Sequence, residues 1–459
     1  MTQTPPYQVT DPATGDVVES FPHATDAEVE AAIAGSVAAY ATWKATSVDE
    51  RAAIVKRAAE LFAERATELG EIITKEMGKR PAQASGEAEY CGEIFEYYAD
   101  NGPELIADKP LPGHDGARVE YLPVGTILGV MPWNYPYYQV ARFAAPNLIV
   151  GNTVILKHAE NCPTSALAIA QILKDAGVPD GVYTNLFATH EQVADMLADP
   201  RVRGVSLTGS ERAGTAVAEA AGRNLKKVVL ELGGSDPYII LDTADVDAAA
   251  ETAWETRMEN VGQACNSNKR MIVMNDVFDD FVAGLTKRAA DLSPREAGDD
   301  SDDKYSPMVS RRAAEGLLSQ IEDAVSKGAT LHVGGTIVAD KGAYFAPAVL
   351  TGVTPDMRAF KEELFGPVAV VYRVNSDEEA VDLANAVDYG LGGAVWSTDE
   401  ERAIKVAEQL DVGMANVNTP AGEGADVPFG GTKRSGFGRE LGPLGIDEFV
   451  NKRLFYVQR

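Results

Sequence analysis

The sequence predicts an α/β protein of two consecutive units, each built on an open sheet. Three observations carry that prediction. The chain has 459 residues, more than one core of ordinary size holds at roughly 100–200 residues per domain. From about Gly125 onward, short apolar runs alternate with helical stretches, the pattern of parallel strands covered on both faces. The pair Gly233-Gly234 then closes one such series before a second begins.

The N-terminal part reads as helix. Residues 27–42, 48–69 and 85–98 are rich in Ala, Glu and Leu, with apolar positions near the helical period. Residues 125–131 and 152–156 are the first two apolar strands. Pro163 opens a helix through Lys174 that closes at Gly177, as helix punctuation requires. A strand at 183–188, a short helix at 191–198, a strand at 202–207, a helix at 210–221 and a strand at 227–232 complete the first series. This is the grammar of a nucleotide-binding unit. In the second series, helices at 246–259, 278–292 and 310–327 accompany strands at 270–274, 368–373 and 392–396. The boundary falls near Leu232. Residues 448–457 read as a strand with no evident docking site, and Asp299-Asp300-Ser301-Asp302-Asp303 as a solvated loop.

Composition narrows the function. Hydrophobic residues are 45% and charged residues 24%, an ordinary globular balance. No apolar run reaches the ~18 residues that span a bilayer, and the polar N-terminus carries no leader pattern, so a cytoplasmic location is expected. With Lys+Arg 41 against Asp+Glu 69, the net charge is −28. Such a chain repels phosphate backbones and anionic membrane surfaces, so neither nucleic acid nor membrane is an expected partner. Lysine is the minor cation, 18 against 23 arginines, a balance that leans towards a salt-loving (halophilic) source. Cys91, Cys162 and Cys265 form no CxxC pair, and the five histidines show no metal-ligand spacing. Neither a disulfide framework nor a metal is expected.

Several short segments carry chemistry. Cys265 lies in Gly262-Gln263-Ala264-Cys265-Asn266, a polar, loop-forming setting that a core cysteine would not select. Cys91 and Cys162 lack such surroundings and read as structural. Glu231, in Leu230-Glu231-Leu232-Gly233-Gly234, ends an apolar strand, where burial raises a carboxyl pKa and suits a general base or a paired structural acid. Ser210, after Thr208-Gly209, caps a helix whose free N–H groups suit a pyrophosphate as well as plain capping. Asn134, in Pro132-Trp133-Asn134-Tyr135-Pro136, offers an amide to a developing oxyanion within a rigid turn. Lys157 ends the next strand, a cation where a nucleotide would bind. Gly436-Phe437-Gly438 with Gly442 imitates a dinucleotide fingerprint, but no strand leads into it.

In order along the chain, Asn134, Lys157, Gly209-Ser210, the Glu231-Leu232-Gly233-Gly234 block, Cys265, Glu363-Leu364-Phe365-Gly366-Pro367 and Pro428-Phe429-Gly430-Gly431 resemble the aldehyde dehydrogenase superfamily. Cys265 follows Glu231 by 34 positions (265 − 231), and the resemblance covers nearly the whole chain. It implies a Rossmann-like cofactor domain (1–106 and 124–232), a second α/β catalytic domain (233–446) and a small β oligomerisation arm (107–123 and 447–459), assembled as a homodimer or homotetramer. It implies that Cys265 attacks an aldehyde, that Asn134 and the Cys265 backbone N–H hold the oxyanion, and that Glu231 activates water against a thioester. Trp133, Lys157, Glu160, Gly209, Ser210, Leu232, Glu363 and Phe365 become cofactor contacts. A carboxylate at Glu160 accepts from a ribose 2′-hydroxyl and repels a 2′-phosphate, so NAD is the expected coenzyme and NADP the alternative. Arg142 matches an arginine that holds the substrate carboxylate in succinate-semialdehyde dehydrogenases, the branch that residues 129–159 and 434–451 are similar to. Where some of those enzymes carry a second arginine six residues before the cysteine, this chain has Glu259, and Arg257 on its helix points elsewhere. The competing readings are a broad-specificity aliphatic or other semialdehyde dehydrogenase, a CoA-acylating relative, against which Glu231 argues, and a non-catalytic structural descendant, against which both Cys265 and Glu231 argue.

Overall fold

The computed structural model describes residues 6–296, 299–338, 340–422 and 424–458. Two α/β sheets organise it. The first has six strands in the order Gly436–Phe437, Lys227–Glu231, Val202–Thr208, Thr126–Val130, Thr153–Lys157 and Tyr183–Asn185. Its last five strands are mutually parallel, and Gly436–Phe437 runs antiparallel along the Lys227–Glu231 edge. The chain leaves Thr126–Val130 towards Thr153–Lys157 on one side and later adds Val202–Thr208 on the other. This is a topological switch point, beyond whose carboxyl ends α/β sheets bind ligands.

The second sheet has seven strands, in the order Thr330–Val333, Ala348–Thr351, Val368–Val374, Arg270–Met274, Pro237–Ile240, Gly392–Trp396 and Met414–Val417. Only Thr330–Val333 is antiparallel to its neighbour. A third, three-stranded sheet pairs the C-terminal strand Val450–Tyr456 with Ala117–Pro123, and that strand with Lys109–Pro110. The docking site that sequence reasoning left open is therefore Ala117–Pro123, matched over seven residue pairs. Among the described residues no helix is long and apolar enough to cross a membrane.

Several expected elements differ in extent. The helix expected at 48–69 is two helices, Val48–Glu64 and Ala66–Met77, broken at Arg65. The helix expected at 85–98 is the longer Pro81–Leu105, with Pro81 in its first turn where a missing N–H costs nothing. Helix Tyr138–Val150 had no sequence signal: it is buried from Gln139 to Val150, so no polar face creates a helical period. The strands Pro237–Ile240, Thr330–Val333, Ala348–Thr351 and Met414–Val417 were also not expected, being only four residues each. The expected loop at 299–303 carries no helix or strand, and Arg80 pairs with Asp300 and Asp302 there.

The segment Gly436–Phe437 shows why glycine is needed at one edge. Gly436 has φ +115°, and a Cβ there would sit 1.9 Å from the Leu230 carbonyl oxygen. Only a residue without Cβ brings the chain close enough to pair with Leu230 and Glu231. The sequence's false dinucleotide fingerprint is thus a sheet-edge device.

Candidate active site

Four adjacent strands of the first sheet deliver groups to one edge. Val130 leads into Met131-Pro132-Trp133-Asn134, Lys157 ends the neighbouring strand, Gly209 and Ser210 follow Thr208, and Glu231 ends the fourth. Ser210 caps helix Glu211–Arg223, its Oγ accepting from the Ala213 N–H at 3.3 Å. A cleft of about 1110 Å³ opens at this edge, lined by Trp133, Asn134, Lys157, Glu160, Gly209, Ser210, Leu232, Cys265, Glu363 and Phe365 among others. Arg142 and Glu231 do not line it.

Cys265 lies in the loop between the 3₁₀ turn Glu259–Gly262 and strand Arg270–Met274. It is half-buried, whereas Cys91 and Cys162 are fully buried. Burial pushes its thiol up to about 11, opposed by the positive charges of Arg142 and Lys269. The loop is held by buried cations on its carbonyls. Lys269 Nζ donates to the carbonyls of Ala264 (2.8 Å) and Cys265 (2.6 Å) and pairs with Glu363 at 3.1 Å. Arg257 donates to the carbonyls of Gly262, Leu364, Gly366 and Val368 and to Ser267 Oγ. Its donors are spent on four carbonyls and the Ser267 hydroxyl, which leaves none for a ligand in the cleft.

Asn134 is buried, and its Nδ2 donates to the Gln263 carbonyl at 3.0 Å. Glu363 Oε1 accepts from the Gly234 N–H at 3.1 Å. Phe365 meets Trp133 edge-on, ring centroids 5.7 Å apart. The cysteine therefore stands between the turn that carries Asn134 and the segment that carries Glu363 and Phe365.

Glu231 is 2% exposed and neither of its carboxylate oxygens has a hydrogen-bond partner among the described residues. Burial raises its pKa well above the usual carboxylate range, and the neighbouring Glu440 raises it further against Arg142. Arg142 has no exposed surface: its Nε lies 2.8 Å from Glu440 Oε2, and it is sandwiched between the rings of Tyr138 (4.7 Å) and Phe429 (4.3 Å). Its Nη1 has no partner among the described residues. Glu259, six residues before the cysteine, accepts from the Tyr135 hydroxyl at 2.7 Å.

At the far end of the cleft, Lys157 Nζ pairs with Glu160 at 2.5 Å, and His190 Nε2 lies 3.1 Å from the same oxygen. Burial lowers the Lys157 pKa, and Glu160 works against that shift. The cleft fits a dinucleotide in three respects: volume, a capped helix start, and open space at Gly209, where a Cβ would meet nothing nearer than Leu207 at 3.8 Å. Lys269, Glu440, Asn260 and His190 were missed by sequence reasoning. Each acts through a partner that only the fold brings close, although Asn before Val-Gly marks position 260 as a turn.

The Aldehyde dehydrogenase family model matches residues 1–454. The chain belongs to that family. As an aldehyde dehydrogenase it is an NAD(P)-dependent oxidoreductase acting on aldehydes. It is 52% identical over 450 residues to a succinate-semialdehyde dehydrogenase [NADP(+)] of Deinococcus radiodurans, covering 98% of this chain and 94% of the relative. A crystal structure of succinic semialdehyde dehydrogenase from Streptococcus pyogenes with NADP+ superposes with a TM-score of 0.95 at 40% identity, covering 99% of this chain and 100% of the other. An NAD-dependent aldehyde dehydrogenase from Sinorhizobium meliloti superposes at 0.94 with 33% identity, over 98% and 91% of the two chains.

Proposed function

We propose that this aldehyde dehydrogenase works through Cys265, and the observation that carries the reading is a half-buried thiol lining the cleft beside a buried asparagine amide. The thiolate adds to the aldehyde carbon, and the resulting oxyanion faces the second N–H of Asn134 and the Cys265 backbone N–H. Loss of hydride from that carbon leaves a thioester on Cys265. A nicotinamide coenzyme, when bound in the cleft, accepts that hydride. Glu231 then takes a proton from a water that adds to the thioester, and the acid departs as the thiolate re-forms. Burial and the neighbouring Glu440 hold the Glu231 carboxyl well above the usual carboxylate range. Turning towards Cys265 brings it to water, where its pKa falls and it can act as a base.

Lys157, Glu160, Gly209 and Ser210 would hold the adenosine ribose and pyrophosphate of a bound coenzyme, and Trp133, Leu232, Glu363 and Phe365 would flank its nicotinamide. Glu160 is compensated by Lys157, which weakens its repulsion of a 2′-phosphate. With the relatives' names, this supports NADP alongside NAD. The substrate proposed is succinate semialdehyde, its carboxylate satisfying the unpartnered Nη1 of Arg142 once Tyr138 or Phe429 gives way. A broad-specificity reading draws on one observation, the pairing of Arg142 with Glu440. The domain division proposed is 1–106 with 124–232 for coenzyme, 233–446 for catalysis and 107–123 with 447–459 as the oligomerisation arm. Among the described residues, strand Val450–Tyr456 leaves its outer edge unpaired, with Leu454 and Tyr456 exposed, which supports a homodimer or homotetramer. Sedimentation as a monomer at micromolar concentration overturns that assembly.

An aldehyde panel with each coenzyme tests the function. Succinate semialdehyde is expected to exceed butanal in kcat/KM by at least ~10-fold, the discrimination one buried polar contact gives. Cys265→Ala is expected to form no NAD(P)H. Turnover in that variant, or equal use of both aldehydes, counts against the catalytic or the substrate assignment respectively.

A further inference from the structure

We infer that Asn260 is a positioning residue for the oxyanion site, a staple that holds the Asn134 amide against the cysteine loop. The inference rests on the proposed role of Asn134. Asn260 is 1% exposed, and its Nδ2 donates to two main-chain carbonyls at once, that of Asn134 at 2.9 Å and that of Gln263 at 3.3 Å. The Gln263 carbonyl is also the acceptor that fixes Asn134 Nδ2, at 3.0 Å. One side-chain amide therefore ties together the turn that carries Asn134 and the loop that carries Cys265.

The arrangement is reinforced from both sides. Gln263 returns hydrogen bonds to the Asn260 carbonyl, from its backbone N–H at 3.1 Å and its Nε2 at 3.2 Å, while its Oε1 accepts from the Val309 N–H at 2.9 Å. The backbone pays for this geometry: Asn260, Val261 and Gly262 have φ of +46°, +56° and +71° in succession. Asparagine tolerates that region better than other residues with a Cβ, and valine tolerates it poorly. Asn260 Oδ1 is buried without a partner among the described residues, so the side chain is held there for its two donors.

The chemical consequence follows from the inventory of an amide. Asn134 has two N–H donors. With one fixed on Gln263, the plane of the amide is set and the second N–H is held in one direction, available to an oxyanion on a Cys265-bound carbon. Without the staple, the Gln263 carbonyl is free to shift and the amide loses its aim. Pre-organised donors matter because they do not reorganise during reaction.

The test is a double-mutant cycle on the full-length enzyme. Asn260→Gly keeps the left-handed backbone and removes both donors; Asn260→Asp, isosteric but without them, serves if the glycine variant does not fold. Expected are a fall in kcat of about 10- to 100-fold, below the loss from removing an oxyanion donor outright, and KM within about twofold. In the Asn134→Ala background the same change is expected to cost less than about threefold, because sites that act through one another are not additive. A kcat near the parent's in the single variant, or an equal loss in both backgrounds, overturns the inference. If Asn134→Ala itself loses no activity, the oxyanion reading fails instead, so the two failures are distinguishable.

Discussion

Cys265 holds its thiol in a setting where burial outweighs the two nearby cations, Arg142 and Lys269, and its pKa rises to about 11. The free enzyme thus carries mostly thiol at neutral pH, and the thiolate fraction climbs about tenfold per pH unit below that value. Alkylation by iodoacetamide without coenzyme is expected to accelerate steadily from pH 7 to pH 10 with no plateau; a plateau by pH 8 would show a thiolate stabilised by something else. Cys91 and Cys162 are fully buried and will not interfere. Cys265 and Glu231 were singled out in the sequence because each sits in a short block whose neighbours mark it. Lys269, Glu440 and Asn260 were not. Asn260 reaches Asn134 across 126 positions, and a contact made by folding leaves no mark on local sequence.

Strands were legible where burial on both faces makes a short apolar run, and helices where burial is one-sided. Strands Arg270–Met274 and Gly392–Trp396 stand where the apolar runs placed them. Helix Tyr138–Val150 escaped because it is buried all round, and the extent of Pro81–Leu105 escaped because its ends are set by packing. One two-residue strand is open to a direct substitution test. Gly436–Phe437 pins the strand that ends in Glu231, and Gly436→Ala forces a Cβ to 1.9 Å from the Leu230 carbonyl in a backbone region alanine avoids. The expected cost is about 2–4 kcal/mol of stability, with a fall in kcat. A thermal midpoint within about 1 °C of the parent contradicts this account of the edge.

For the molecule as a whole, the dominant long-range term is a net charge of −28. Exposed ion pairs such as Arg57 with Glu60 and Glu64 contribute little individually, so screening chiefly relieves self-repulsion. Raising KCl from about 0.01 M to about 1 M, which shortens the screening length from roughly 30 Å to 3 Å, is expected to raise the thermal midpoint. A midpoint that falls with salt contradicts the view that repulsion outweighs the surface pairs. The two large sheets were foreseen from composition and alternation, while the C-terminal strand was joined to residues 107–123 only by the family resemblance, because strand pairing between residues near 120 and near 453 is a tertiary choice.

The division of labour between Cys265 and Glu231 is most directly tested by stopped-flow absorbance of Glu231→Gln mixed with NADP and aldehyde. The variant is expected to release about one NADPH per active site in a fast burst, then turn over at least ~100-fold more slowly than the parent, since acylation survives and thioester hydrolysis does not. Parent-like steady turnover from the first cycle onward would contradict the assignment of Glu231 as the hydrolytic base.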